Sequence, residues 1–94
     1  MVEVTHVDGP RKDHKVMLYA LSTCGWCKRT KRLLNDLGVT YDYIDVDLLQ
    51  GEERHQTREE VIRWNPMCSF PTIVIDDAKC IAGYKEDEIR KAVE

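Results

Sequence analysis

The chain has 94 residues, 43% of them hydrophobic and 33% charged, a balance that suits one small globular domain and argues against disorder. Acidic side chains number 17 against 14 basic ones, a net charge of −3, without the basic surplus that marks a nucleic-acid binder. The longest apolar run, Val16–Leu21, falls far short of the roughly 20 residues that span a bilayer, so no membrane partner is expected.

Residues 1–14 read as an N-terminal extension to a core over residues 15–94, with no second domain expected. Val2, Val4 and His6 alternate with Glu3 and Thr5, a pattern that fits an edge strand and equally a flexible arm. Glu3, His6 and Asp8 stand where a secretory signal needs an apolar core, so a cytoplasmic location is expected. Asp8-Gly9-Pro10 is a turn signal.

Val16–Ala20 is a compact apolar run, as expected of a strand buried on both faces. From Gly25 to Leu37 the period becomes helical. Trp26, Thr30, Leu33, Leu34 and Leu37 define the expected inner face, and Gly38 is the expected stop. Tyr41–Val46 alternates as a second strand. Glu52–Trp64 reads as a helix ended by Asn65-Pro66, with Trp64 in the core. Thr72–Ile75 and Lys79–Ala82 read as a hairpin, and a turn centred on Asp77-Ala78 would set Ile75 opposite Cys80. That register puts Cys68 about 20 Å from Cys80, too far for a disulfide. Glu86–Val93 makes a closing helix. The order is β-α-β-α-β-β-α, an α/β fold with a mixed four-stranded sheet, helices on both faces and room for an extra N-terminal strand.

Four cysteines are too few and too unevenly spaced for a secreted disulfide scaffold. Cys24 and Cys27 form the one close pair, and they fall where the first strand meets the first helix. At that junction Cys24 faces unpaired helix N–H groups and the positive end of the helix dipole, which favour a thiolate. Lys28, one turn on, adds positive potential. Cys27 lies one turn inside, placed to resolve a mixed disulfide on Cys24. A structural zinc site would need two further ligands. Cys68 and Cys80 are not closely paired, and His6, His14 and His55 are not ligand-spaced, so no metal is expected. Cys80 reads as a small buried hydrophobe. Cys68, three residues before Pro71, lies within reach of a redox role. Trp26 reads equally as a rim for a partner or as packing. The Lys28–Arg32 run reads as a solvated face that also steers acidic partners.

Leu18-Tyr19 through Cys24-Gly25-Trp26-Cys27, then Ser69-Phe70-Pro71-Thr72, then Ile81-Ala82-Gly83-Tyr84, resemble the glutaredoxins and glutaredoxin-like redoxins. The resemblance covers about residues 15–94. It implies the thioredoxin fold, a cis proline at Pro71 facing the dithiol, and thiol–disulfide exchange through Cys24 and Cys27. It also implies substrate contact through Thr23, Gly25, Trp26, Lys28, Phe70, Pro71, Gly83 and Tyr84. The expected partners are disulfide-bearing proteins or small disulfides, together with a reductase or thiol reductant. No tightly bound cofactor is expected, and the chain is expected to act as a monomer.

The departures from the family pattern concern glutathione. Members that use it usually carry a Lys where this chain has Leu21, and a Val where it has Phe70. They also carry a second Gly, a small residue and Asp where it has Ala82-Gly83-Tyr84-Lys85. Redoxins that serve ribonucleotide reductase are similar at Gly83-Tyr84. Glutathione or another low-molecular-weight thiol thus stands as a candidate reductant, with glutathione expected to be slow. The alternative implied by the family is an iron–sulfur carrier that bridges a [2Fe-2S] cluster through Cys24.

Overall fold

The computed structural model describes residues 4–94. The part of the N-terminal expectation that falls on Val2 and Glu3 lies outside the described residues. Its remainder is a short strand, β1 (Thr5–Val7). There follow β2 (Val16–Ala20), α1 (Gly25–Asp36) and β3 (Tyr41–Asp45). A 3-10 turn (Val46–Leu48), α2 (Gly51–Trp64), β4 (Thr72–Ile75), β5 (Lys79–Ala82) and α3 (Glu86–Ala92) complete the fold. The five strands lie in the order β1-β3-β2-β4-β5, with β2 and β3 parallel and every other pair antiparallel. The extra N-terminal strand thus extends the expected four-stranded sheet at the β3 edge.

Strand period splits the core into two layers. Successive side chains point to opposite faces. On one face Leu18 and Ala20 of β2 and Ile73 and Ile75 of β4 pack with Leu33 and Leu34 of α1 and Ile89 of α3. On the other, Tyr19 and Val74 pack with Ile44 of β3 and Val61 of α2, and Trp64 joins them half-buried. Being flanked by β3 and β4 and covered on both faces explains why β2 is a continuous apolar run.

Two expectations need correction. The buried stripe of α1 runs through Cys27, Thr30, Leu33 and Leu34, whereas Trp26 is 55% exposed. Trp26 sits in the first turn, beyond the end of the sheet, where Cys27 instead points inward. The hairpin register also differs by one residue. Asp76 and Asp77 adopt φ of +55° and +52°, and the Ala78 amide closes back on the Ile75 carbonyl at 3.0 Å. The loop therefore takes three residues, so Lys79 faces Ile75 and Cys80 faces Val74. Cys68 and Cys80 are both free thiols, and Cys80 is half-buried on the edge strand rather than enclosed.

Register decides where a site can form. Tyr19 pairs with Thr72, Thr72 with Ala82, and Ala20 with Asp45. The ends of β2, β3 and β5 and the start of β4 therefore lie together at one end of the sheet.

Candidate active site

Four connections leave that end: Leu21–Cys24 after β2, Val46–Leu48 after β3, Phe70-Pro71 before β4 and Gly83-Tyr84 after β5. Cys24 is the N-cap of α1, with extended backbone at φ −83° and ψ 119°. Its sulfur accepts the Cys27 amide N–H at 3.3 Å, in the place where a Ser or Asp oxygen often caps a helix. The Cys24 amide donates to the Leu21 carbonyl at 3.2 Å. Cys24 is partly exposed and Cys27 fully buried. Burial, and then the neighbouring Cys24, push the Cys27 thiol up to about 12. A backbone contact from Leu21 and the charge of Lys31 oppose that rise.

The approach to Cys24 is fixed from the 3-10 turn after β3. Asp47 accepts the Ser22 amide at 2.7 Å and the Ser22 hydroxyl at 2.5 Å. These two bonds hold the Asp47 carboxyl below its ordinary value of 3.8. Arg54 of α2 donates to the Asp47 carbonyl at 3.0 Å.

The Phe70–Pro71 peptide bond is cis, as the resemblance implies, and Pro71 is fully buried. The Pro71 carbonyl accepts the Gly83 amide at 2.8 Å, which ties the β4 and β5 ends together. Phe70 packs against both core layers, one of which holds Cys27 with Cys24 against it. Buried Asn65 organises the loop before Pro71. Its Nδ2 donates to the Ser69 hydroxyl at 2.9 Å and to the Thr72 hydroxyl at 3.1 Å, and its Oδ1 accepts the Met67 amide at 3.2 Å. Thr72 in turn donates to the Ser69 carbonyl at 2.7 Å. Cys68, inside this loop, sits at φ +49° and packs on the α2 layer.

The rim is aromatic. Trp26 stacks on Tyr84 with ring centroids 5.6 Å apart and planes at 30°, and the Arg29 guanidinium lies 4.9 Å from the Trp26 ring centroid. Gly83 has φ +89°, a conformation that favours glycine and turns the chain so that Tyr84 meets Trp26. Trp26, Phe70, Pro71, Gly83 and Tyr84 thus converge on the dithiol end. Thr23, Gly25 and Lys28 are exposed beside Cys24 and Cys27. Leu21 packs on the α2 layer, and Lys85 pairs with Glu88 at 3.9 Å. Sequence reasoning missed Asp47 and Asn65. The Asn65-Pro66 helix stop was visible, but the hydrogen bonds it serves depend on the fold of residues 65–72.

The sequence model of the glutaredoxin family matches residues 16–80, which contain both thiols and the cis proline. The chain belongs to the glutaredoxin family. It is 53% identical to the glutaredoxin from Methanosarcina mazei Go1, covering 96% of this chain and 86% of that one with a TM-score of 0.88. Methanoredoxin from Methanosarcina acetivorans is 49% identical, over 90% of this chain and 88% of that one, with a TM-score of 0.86. A glutaredoxin-like 8.6 kDa protein of the Clostridium pasteurianum rubredoxin operon is 32% identical over 79 residues, 84% of this chain and 97% of that one. The fold is the thioredoxin fold of these glutaredoxins. No helix among the described residues is long and apolar enough to cross a membrane.

Proposed function

We propose that this glutaredoxin-family chain is a dithiol–disulfide oxidoreductase in which Cys24 is the nucleophile and Cys27 the resolver. The observation that carries the reading is the unequal pair: a partly exposed Cys24 capping α1 above a fully buried Cys27. The Cys24 thiolate attacks one sulfur of a substrate disulfide, forming a mixed disulfide and expelling the first substrate thiolate, which takes a proton from water. Cys27 then loses its proton and attacks the Cys24 sulfur. The second substrate thiol leaves, and a Cys24–Cys27 disulfide remains. Two electrons have passed to the substrate, and an external thiol or reductase returns them.

The Cys27 thiol is suited to waiting. Part of its upward shift comes from Cys24 itself, as a hydrogen-bond partner and a like charge. Once the Cys24 sulfur is in a mixed disulfide that charge is gone, and Cys27 becomes easier to ionise at the step that needs it. The substrates are disulfides of proteins or small molecules, and the reaction calls for no resident cofactor. A cytoplasmic, monomeric protein fits this role.

The test is disulfide reduction by the wild type and by two variants. Cys24→Ser abolishes it, and Cys27→Ser accumulates a mixed disulfide detectable by intact mass. Activity retained in Cys24→Ser overturns the reading. Visible absorbance of anaerobically purified protein reports the alternative of a [2Fe-2S] cluster bridged through Cys24.

A further inference from the structure

We infer that Arg29 and Arg32, beside the Trp26–Tyr84 pair, form a docking site for acidic side chains that flank the disulfide of a protein substrate. The inference rests on the exchange chemistry proposed above and names the class of substrate that the site prefers. A cleft of about 330 Å³ runs along this face, lined among others by Arg29, Arg32, Tyr84 and Arg90. Its two carboxylates are Glu86 and Asp36. Glu86 is already engaged, by Arg90 Nε at 2.9 Å and by the Tyr84 hydroxyl at 3.2 Å. Asp36 stands at the last turn of α1, away from the thiols.

Arg29 and Arg32 pair with no carboxylate among the described residues, whereas Lys31 on the same helix is held by Asp45 at 3.0 Å. Lys28 is likewise unpaired among the described residues, and the first turn of α1 carries no acidic residue. The start of α1 is therefore a cationic surface on a chain of net charge −3. The Arg29 contact with Trp26 matters in a second way. A guanidinium resting on an indole keeps its N–H donors for other partners and loses less freedom when a carboxylate arrives. With Arg32 about one helical turn further on, the face offers two guanidiniums, an arrangement that suits carboxylates carried on a peptide.

Helical rise sets the expected spacing. Arg29 lies five residues beyond Cys24, about 7.5 Å along the axis, and Arg32 about 12 Å. An extended substrate chain advances about 3.3 Å per residue. Carboxylates two to four residues from the reacting cysteine would therefore reach the two guanidiniums, while the segment between them passes Trp26, which is 55% exposed.

The experiment compares two peptides, each carrying one cysteine in a mixed disulfide with 2-mercaptoethanol. One has Asp at the second and fourth positions from that cysteine, and the other has Asn there. Rates are measured with the reduced full-length protein at low and high salt. The acidic peptide is expected to react about five- to tenfold faster at low salt, falling to near parity in about 0.5 M salt. In Arg29→Gln/Arg32→Gln the ratio of the two rates is expected to fall to about one. Where exchange is observed, equal rates for the two peptides in the wild type, or a preference that survives in the double variant, overturn the inference. A second measurement separates it from the exchange chemistry. Quenching of tryptophan fluorescence in Cys24→Ser is titrated with the same sequences carrying Ser in place of cysteine. Tighter binding of the acidic sequence without any exchange in the wild type supports the docking site and overturns the catalytic reading. Equal binding with normal exchange of the neutral peptide does the reverse.

Discussion

Asp47 holds Ser22 by two bonds, accepting its amide at 2.7 Å and its hydroxyl at 2.5 Å. The two residues are 25 positions apart, and Ser22 lies two residues before Cys24. A carboxylate delivered by the 3-10 turn after β3 thus fixes the segment that leads to Cys24, the proposed nucleophile. Asp47→Ala is expected to slow disulfide exchange several-fold, with partial recovery in Asp47→Asn, which keeps an acceptor. Comparing KM with kcat checks this, since a loop that mispositions Cys24 lowers kcat. Because the folded carboxyl titrates below its ordinary value of 3.8, its contribution to stability is present above that value and is lost as pH falls through the lowered one. The stability difference between wild type and Asp47→Asn is therefore expected to vanish in acid and persist at neutral pH.

His14 has the opposite sign. Its Nδ1 meets Asp76 Oδ2 at 2.7 Å and its Nε2 meets the Glu94 carbonyl at 2.8 Å, so it joins the N-terminal segment, the hairpin loop and the C-terminus. The bond to Asp76, then the one to Glu94, raise the His14 pKa above 6.5. Stability from this clasp is fully present below 6.5 and is lost as pH rises through the raised value. Thermal melts across about pH 5–9 are expected to show a decline in the wild type that is absent in His14→Gln. Parallel profiles would dismiss the clasp.

The two thiols should separate in alkylation. Cys27 is buried with its thiol at about 12, so its thiolate fraction at neutral pH is on the order of 10⁻⁵. Peptide mapping after limiting iodoacetamide is expected to find Cys24 modified well before Cys27. Equal rates for both across about pH 5–9 would contradict the assignment of nucleophile and resolver.

Much of this fold was legible because local and global signals agree. The run Val16–Ala20 is uniformly apolar because the strand is central, and the Cys-x-x-Cys spacing fell at a strand–helix junction that the structure retains. What escaped depended on neighbours distant in sequence. Trp26 obeys the helical period yet lies outside, because the sheet ends beneath the first turn and Tyr84 comes from residues far along the chain. The hairpin register turned on two aspartates taking positive φ, a choice that the tight three-residue loop imposes. Asp47 carries no signal of its own in the sequence and Asn65 only that of a helix stop, since their partners Ser22, Ser69 and Thr72 are assembled by the fold.

Asn65 carries its own prediction. It is buried, and its amide spans the Ser69 and Thr72 hydroxyls on either side of the cis Phe70–Pro71 unit. Removing a buried hydrogen-bonding group typically costs about 1–3 kcal/mol. Asn65→Ala is therefore expected to lose about 2 kcal/mol in denaturant unfolding. It should also reduce exchange activity under conditions where the variant remains folded. A stability equal to wild type would show that this network does not hold the loop.

The final prediction concerns the reductant. A glutathione pocket must satisfy two carboxylates and an ammonium, and an ionic group held without a partner binds poorly. Leu21 replaces the cation expected before the dithiol, and its side chain is turned toward the α2 layer. Tyr84 is committed to stacking on Trp26, and Lys85 pairs with Glu88 at 3.9 Å. A Lys at 85 repels an ammonium where an Asp would accept it. The Phe70 backbone beside the cis proline is expected to remain able to pair with a tripeptide, so glutathione binding is expected to be weakened rather than lost. Reduction of the Cys24–Cys27 disulfide by glutathione is expected to be slower than by a smaller thiol or a dedicated reductase, compared at matched thiolate concentration. Leu21→Lys is expected to speed the glutathione reaction severalfold and to leave the smaller thiol little changed, because the added cation meets a carboxylate that the smaller thiol lacks. If glutathione proves the fastest reductant of the wild type and Leu21→Lys brings no gain, these substitutions do not weaken the glutathione site.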